Sequence, residues 1–386
     1  MNKKVLIINL QNHNYAGGIE KYCFNIIPIL HDLNYDIYEY STCENIQTKV
    51  SEPIPYVKQI DVKHKNRFQE LNLNQFNNNI FNFIYKSIEE LKALRYQRKH
   101  IKEIAKNFDL IICNQNFIGI ITDKDHPNIL WVQHFDFYFL KRLAIFSRTF
   151  VQLISNTVCP YKQIKQKVVY SKNSQNLYKK FFKKNYKKSK FYSIFLSFSK
   201  DKIYQATNIE EKNNKPVVFL GRIHDVSSKK VGIANKVAKY LDRPINVYGE
   251  YKPCFVKKYK YLNFQGKYNS KQDLNKIFEN SSLTLITSKY EGVSYVGIES
   301  IMHSTPLFIR NTYAEAKNLL KNNNGLLIDK KMKPKQIAKV IKNTLNDHHR
   351  YEEMVKSSLL YEKELSYETF VNAWKSLIQN ITKSNF

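Results

Sequence analysis

Short apolar runs alternate with amphipathic stretches along almost the whole chain. KVLIINL (4–10) has the pattern of a short buried strand and stops at polar Gln11 and Asn12. After Gly17 and Gly18, apolar side chains recur at Ile19, Tyr22, Cys23, Ile26, Ile27 and Leu30, the spacing of one helix face. Pro28 weakens the last turn of that helix, because it lacks the N–H the turn needs. DIYEYST (36–42), DLIICNQ (109–115), NILWVQHF (128–135), KVVYSK (167–172) and FYSIFLSF (191–198) read as further strands, and 66–107 is polar and helix-like. The polar stretch 199–215 is the best linker, and beyond it the alternation restarts. PVVFLGRI, PINVYGE, LTLITS, PLFIR and NGLLID are strands; between the first two, Val231, Ala234, Val237, Ala238 and Leu241 share a helix face. Strand–helix alternation twice over predicts an α/β fold of two Rossmann-like parallel-sheet domains, 1–200 and 201–365. Two such domains facing a cleft would receive ligands at the carboxyl ends of their strands.

Composition narrows the class. A chain of 386 residues with 43% hydrophobic and 14% aromatic residues has enough apolar material for two cores. No run of about 18 apolar residues occurs, so no transmembrane helix is expected, and the first apolar run is too short for a signal-peptide core. Five scattered cysteines (Cys23, Cys43, Cys113, Cys159, Cys254) contain no C-x-x-C, a usage that fits a reducing cytoplasm without disulfides or a structural metal. The net charge is +29, but residues 1–136 hold 16 basic and 15 acidic side chains, whereas 137–200 hold 15 basic and none acidic. The basic excess of the first half therefore sits in one segment, whose field attracts phosphates, anionic lipid or nucleic acid.

Four stretches carry candidate chemistry. In KYEGVSYVGIES, Glu291 lies in the loop after a strand and Glu299 about one turn into the next helix. Gly292 makes the turn, and the backbone N–H groups of Val293, Ser294, Tyr295 and Val296 open the helix as an anion site. Two carboxylates flanking an anion-binding turn suit a ligand with hydroxyls at both ends and phosphate between them, a nucleotide sugar. Without such a ligand, Glu299 would pair with a neighbouring lysine and Glu291 would sit on a solvated turn. In FLGRIHDVSSKKVG, Arg222 follows a strand, and Lys229 and Lys230 open the next helix; converging cations suit a diphosphate. Gly17 and Gly18 permit close approach of an anion to a helix N-terminus, though NYAGGIEKY is not a dinucleotide fingerprint. His134 closes a strand, where it could bond a sugar hydroxyl, shuttle a proton or contact an acceptor. TDKDH (122–126) contains D-x-D, which reads as a solvated turn before Pro127, and no nucleophile-elbow context supports a hydrolase.

Taken in order, G-G near the start, a His closing a mid-domain strand, G-R with Lys nearby and then E-x7-E resemble glycosyltransferase family 4, which has the GT-B fold. AEAKNLLKNNNGLLID (314–329) resembles the family segment that follows the second glutamate. The resemblance implies a retaining, metal-free sugar transfer from a nucleotide sugar, by family frequency a UDP-sugar, with no resident cofactor. It places Gly17 and Gly18 beside the donor diphosphate, Arg222 and Lys229 on the leaving phosphates, Glu299 on the ribose, Glu291 on the transferred sugar and His134 beside that sugar. It also implies that the final helix (about 366–383) crosses back, so that 366–386 completes the first domain. Two departures stand out. Arg222 and Lys229 are spaced further apart than usual, which makes Lys230 a rival, and Val293-Ser294 replaces the family's frequent Phe-Gly on the sugar side.

Residues 160–192 hold 11 lysines and eight aromatic residues without an acid. That mixture predicts docking on an anionic membrane surface, with rings in the interface and lysines on lipid phosphates. The expected location is the cytoplasm, peripheral on the inner face of the membrane, with a glycan or lipid-linked acceptor and a role in cell-surface polysaccharide synthesis. Alternatives are a GT-B epimerase or phosphorylase, and a basic nucleic-acid-binding protein. The latter lacks any nucleic-acid module signature, so nucleic acid is not expected as a partner.

Overall fold

The computed structural model describes residues 2–15, 17–43, 49, 51–63, 65, 80–114, 126–138, 140, 160–196, 209–223, 225–268 and 271–383. The chain divides into two compact units, 1–196 with 370–386, and 197–369.

The first unit is built on a seven-stranded sheet of β1 (Lys3–Asn9), β2 (Tyr35–Ser41), β3 (Val57–Gln59), β4 (Leu110–Cys113), β5 (Ile129–Val132), β6 (Gln166–Val169) and β7 (Lys190–Ser193). Its order is β3-β2-β1-β4-β5-β6-β7 and every pairing is parallel. Residues 5–8 of β1 and all of β4 and β5 are buried. A sheet covered on both faces needs continuous apolar runs rather than alternation, which is why these strands stood out in the sequence. Leu6, Ile8, Ile111, Cys113 and Trp131 point to one face, where they meet Phe137, Tyr161 and Tyr178.

The helix Gly18–Asp32 buries Ile19, Tyr22, Cys23, Ile26, Ile27 and Leu30, the predicted face. It runs straight through Pro28. The carbonyl deprived of its N–H partner belongs to Phe24, and the helix nevertheless continues for four residues beyond the proline, to Asp32. The helix Tyr367–Lys383 begins in the second unit and from Phe370 onward belongs to the first. Its Phe370, Trp374, Leu377, Ile378 and Ile381 are buried, and the rings of Phe370 and Trp374 stand edge-on to Tyr22 at 5.7 and 6.3 Å.

The second unit carries a six-stranded parallel sheet of β8 (Val217–Leu220), β9 (Ile245–Tyr248), β10 (Asn263–Gly266), β11 (Leu283–Ile286), β12 (Leu307–Arg310) and β13 (Gly325–Ile328), in the order β10-β9-β8-β11-β12-β13. Within β8 the side chains alternate between two cores. Val217 and Phe219 join Ile245, Val247, Leu283 and Phe308, whereas Val218 and Leu220 join Leu274, Ile277 and Phe278. The last residues of the expected linker are folded: Ile209–Asn213 is a short helix that buries Lys212 and Asn213. Lys212 Nζ donates to the Phe278 carbonyl at 2.6 Å, and Asn213 Nδ2 to that of Leu345 at 2.8 Å. Two strands were absent from the sequence reading, β3 and β10. Both are edge strands, and their mostly exposed patterns carry no apolar run.

The basic segment departs from its expectation. Lys172, Lys179, Lys180, Lys183, Lys184, Lys187, Lys188 and Lys190 are exposed, but none of the eight rings of 160–192 is. Tyr178 is buried, with Phe182 and Phe191 packed around it at 5.0 and 5.3 Å. Tyr161, Tyr170 and Tyr178 are buried, and Phe181, Phe182, Tyr186, Phe191 and Tyr192 are partly so, which leaves the lysines as the most exposed part of the segment.

Candidate functional site

In both sheets the strand order reverses at one place, between β1 and β4 in the first unit and between β8 and β11 in the second. Ligands of open parallel sheets bind outside the carboxyl ends of the strands at such reversals. The sequence candidates gather at these two places, each described within its own unit.

In the second unit, β8 runs into Gly221 and Arg222, and β11 into the loop that holds Glu291. Gly221 and Gly249 have φ of 143° and 137°, and a Cβ on Gly249 would lie 1.9 Å from the Gly221 carbonyl oxygen. Only glycine allows the ends of β8 and β9 to close this tightly. After Arg222, Asp225 caps a one-turn helix, Val226–Lys229, by accepting from Ser228 N at 3.2 Å. Lys230 is left-handed (φ 55°), closing that turn and opening the helix Val231–Ala238, so the two lysines do not open one helix together. The β11 loop is tied to this turn: Thr287 Oγ1 donates to the Lys229 carbonyl at 2.7 Å, and Lys289 N to that of Ser228 at 2.7 Å. Thr312 Oγ1 donates to the Ser288 carbonyl at 2.5 Å from the far side.

The outcome is an ion pair between two of the candidate stretches. Lys229 Nζ lies 2.5 Å from Glu291 Oε1, with the side chains 15% and 17% exposed. The pair is shielded yet reachable. Arg222 is exposed, and Lys230 is partly so. Beyond Gly292 and Val293, Ser294 Oγ accepts from Gly297 N at 3.3 Å and caps the helix Tyr295–Met302, the first two residues of which are only partly buried. Glu299 is buried one turn in, near Tyr268, whose hydroxyl burial and the Glu299 charge together hold in the protonated form. Asp225, Thr287 and Thr312, which hold the loops together, were not singled out in the sequence. Their signal is a polar residue in the loop after an apolar strand, a pattern too common to read alone.

In the first unit, Gly17 is the N-cap of Gly18–Asp32, with an extended backbone. A Cβ there would lie 1.8 Å from Glu20 Oε2, so the carboxylate of Glu20 folds back over the helix start.

Behind this turn lies a buried polar network that the sequence reading missed. Glu39 of β2 is wholly buried and is approached by four donors: Asn9 Nδ2 (2.5 Å), His13 N (2.9 Å), His13 Nδ1 (2.8 Å) and Gln59 Nε2 (2.6 Å). Asn114 Nδ2 donates to Asn9 Oδ1 at 2.8 Å and to Cys23 Sγ at 3.1 Å, and the Cys23 thiol donates to Asn9 Oδ1 at 3.2 Å. Burial pushes the Cys23 pKa well up, which keeps the thiol protonated for this role. The Asn114 carbonyl oxygen faces His134 Nε2 at 2.9 Å, and Tyr22 packs edge-on to the His134 ring at 5.0 Å. Desolvation lowers the His134 pKa to about 3. The imidazole is therefore neutral at physiological pH and unsuited to shuttle a proton, one of the roles its position suggested. The available signal was Asn9 and Asn114, each closing an apolar strand run. Of TDKDH, residues 122–125 lie outside the described residues. His126 serves structure, with Nε2 2.9 Å from the Phe108 carbonyl.

Residues 255–359 match the family model described as glycosyl transferases group 1. No curated protein matches the chain. Among solved structures, sucrose-phosphate synthase from Thermosynechococcus elongatus superposes with a TM-score of 0.71 at 15% identity, covering 99% of this chain and 100% of that one. WaaG, a glycosyltransferase involved in lipopolysaccharide biosynthesis, gives 0.68 at 14% identity, with 95% and 98% covered. Anabaena HepE in complex with UDP gives 0.65 at 13% identity, with 98% and 100% covered. The structural likeness marks the fold as GT-B, and the matched segment marks the chain as a glycosyltransferase.

Proposed function

We propose that this chain is a retaining glycosyltransferase of family 4. It would move a sugar from a nucleotide-sugar donor, with UDP as the leaving group, to a glycan or lipid-linked acceptor in cell-surface polysaccharide synthesis. The observation that carries the donor half is the meeting of Lys229 with Glu291 beside the strand reversal of the second sheet. Breaking a glycosyl–phosphate bond leaves negative charge on the diphosphate and positive charge on the sugar. Arg222 and Lys229 meet the first, together with the helix opened by Val293 to Val296. Glu291 holds hydroxyls of the sugar, and Glu299 those of the ribose. Fixed cations at a leaving group lower such a barrier without a metal, since they need no reorganisation as charge develops. On donor entry Lys229 exchanges its carboxylate partner for phosphate, and Glu291 becomes available to the sugar. UDP bound in the HepE structure supports the choice of nucleotide. Isothermal titration with UDP, other nucleotides and their sugars tests the reading; micromolar UDP binding that Glu299→Ala abolishes is the expected result. No binding of any nucleotide would refute it. The anomeric configuration of the product by NMR tests retention.

The exposed lysines of 172–190 support a second element, peripheral docking on the anionic inner face of a membrane. With none of its rings fully exposed, this contact would be mainly electrostatic, adding about 1 kcal/mol per lysine near the surface and weakening with salt. Among the described residues no helix is long and apolar enough to cross a membrane. Co-sedimentation with anionic vesicles at low salt, absent with neutral ones, is expected; equal binding to both would exclude the idea.

A further inference from the structure

The buried network of the first unit has a direction, because one of its members can only accept. An ionised carboxylate has no proton to donate. Glu39 therefore turns the amide nitrogen of Asn9 toward itself, which leaves Asn9 Oδ1 facing Asn114. Asn114 must in turn offer its nitrogen to Asn9, which leaves its oxygen facing His134. An oxygen there needs a donor opposite, so Nε2 of His134 carries the ring proton and Nδ1 keeps its lone pair. His13 closes the other end by the same logic: its Nε2 accepts from Ile54 N at 3.1 Å, so its Nδ1 donates to Glu39.

We propose that Glu39, Asn9 and Asn114 are positioning residues that fix His134 as the Nε2–H tautomer and so present Nδ1 as a hydrogen-bond acceptor for a substrate hydroxyl. The relay spans three neighbouring strands, β2, β1 and β4, so its members are held by the sheet register itself. The edge-on Tyr22 ring limits rotation of the imidazole. A neutral acceptor of fixed orientation distinguishes a donor hydroxyl from a bare carbonyl or phosphate oxygen, which has no proton to give. Only the identity of that hydroxyl, a sugar's, rests on the glycosyltransferase reading.

The tautomer is read on the full chain without substrate, and turnover on the same chain with its sugar donor. Ring 15N shifts of His134, assigned by their loss in His134→Gln, are expected to be pyrrole-like at Nε2 and pyridine-like at Nδ1, with a slowly exchanging Nε2 proton. Asn114→Leu is expected to lose that slow proton and mix the tautomers. It should lower kcat on the order of tenfold, the size of one lost hydrogen bond, with UDP affinity unchanged. The near-isosteric Asn114→Asp, for use should the leucine variant not fold, keeps Nε2–H and raises the pH at which His134 titrates. A proton on Nδ1 in the wild-type protein would overturn the proposal. So would a slow proton and turnover unaffected by Asn114→Leu, or an unmoved titration in Asn114→Asp. A wild-type protein that turns over no donor, yet shows the stated tautomer, would count against the enzymatic reading alone.

Discussion

Lys229 and Glu291, separated by 62 positions in sequence, form an ion pair of 2.5 Å at the carboxyl edge of the second sheet. Thr287 and Lys289 bond one loop to the backbone of the other, so the main chain brings the two side chains within reach.

The pair predicts opposite effects for its two halves. Lys229→Met removes a cation from the leaving group and is expected to weaken UDP binding 10- to 100-fold, the equivalent of about 1.5–3 kcal/mol for a charge-assisted hydrogen bond. Glu291→Gln releases Lys229 from its own carboxylate and is expected to leave UDP binding equal or tighter while turnover falls. Calorimetry with free UDP, beside initial rates with the sugar donor, separates the two.

Arg222 and Glu299 divide along another line. Arg222 is exposed, and in the proposed mechanism it meets the developing charge, so Arg222→Ala is expected to lower kcat by about 10²–10³ with a small change in nucleotide affinity. Glu299 is buried in the first turns of its helix, and Glu299→Ala is expected to cost nucleotide affinity first. Rates and binding isotherms for both variants check the division; wild-type values in both would mean the site lies elsewhere.

Ser294 offers a stability prediction at the same helix. Its Oγ caps Gly297 N, and Ser294→Ala is expected to destabilise the protein by about 0.5–2 kcal/mol. Chemical denaturation measures this directly, and Ser294→Asp, which keeps a capping acceptor, should restore most of the loss.

Buried bases, His134, Lys167 and Lys212 among them, give stability a pH dependence; Lys167, lowered to about 7 by desolvation, acts over the same range as Lys212. His134 has a folded pKa of about 3 against about 6.5 in the unfolded chain, so between these values the unfolded chain binds more protons. Its contribution is complete above about pH 6.5 and is lost as pH falls toward 3. Lys212 is lowered to about 7, chiefly by desolvation, with Glu279 opposing and Lys215 adding to the shift. By the same rule stability rises from about pH 7 to about 9, with a slope of at most about 1.4 kcal/mol per pH unit from this residue, before unfolded tyrosines begin to ionise. The pH slope of denaturation across that range is expected to fall by about half in Lys212→Met, the remainder coming from Lys167. A slope unchanged by that variant would remove Lys212 as a source.

The sequence made most of the fold legible, for a physical reason. Strands such as LIIN, LIIC and VVFL are buried on both faces and so are written as unbroken apolar runs. The edge strands β3 and β10 have solvent on one side and no such run, so they were invisible. In the second unit the candidate residues were visible because charge is scarce near an apolar strand, and Glu291 stands out there. The network of the first unit was not, because Asn9, Asn114 and His134 are ordinary polar residues at or just past strand ends and Glu39 is one within β2. Only the parallel register of β2, β1 and β4 makes them one object. In the lysine-rich segment the sequence could not separate the buried rings of Tyr161, Tyr170 and Tyr178 from the partly exposed ones, because aromatic residues between lysines look the same whichever way they face.

The helix Tyr367–Lys383 carries a consequence for biogenesis. Phe370, Trp374, Leu377, Ile378 and Ile381 close the interior of the first unit, yet they are encoded after the whole of the second. A ribosome therefore releases the amino-terminal half with one wall missing, and the wall arrives only after more than 170 further residues have been translated. The unit that is made first is finished last, and Tyr22, the residue that leans on His134, waits uncovered until then.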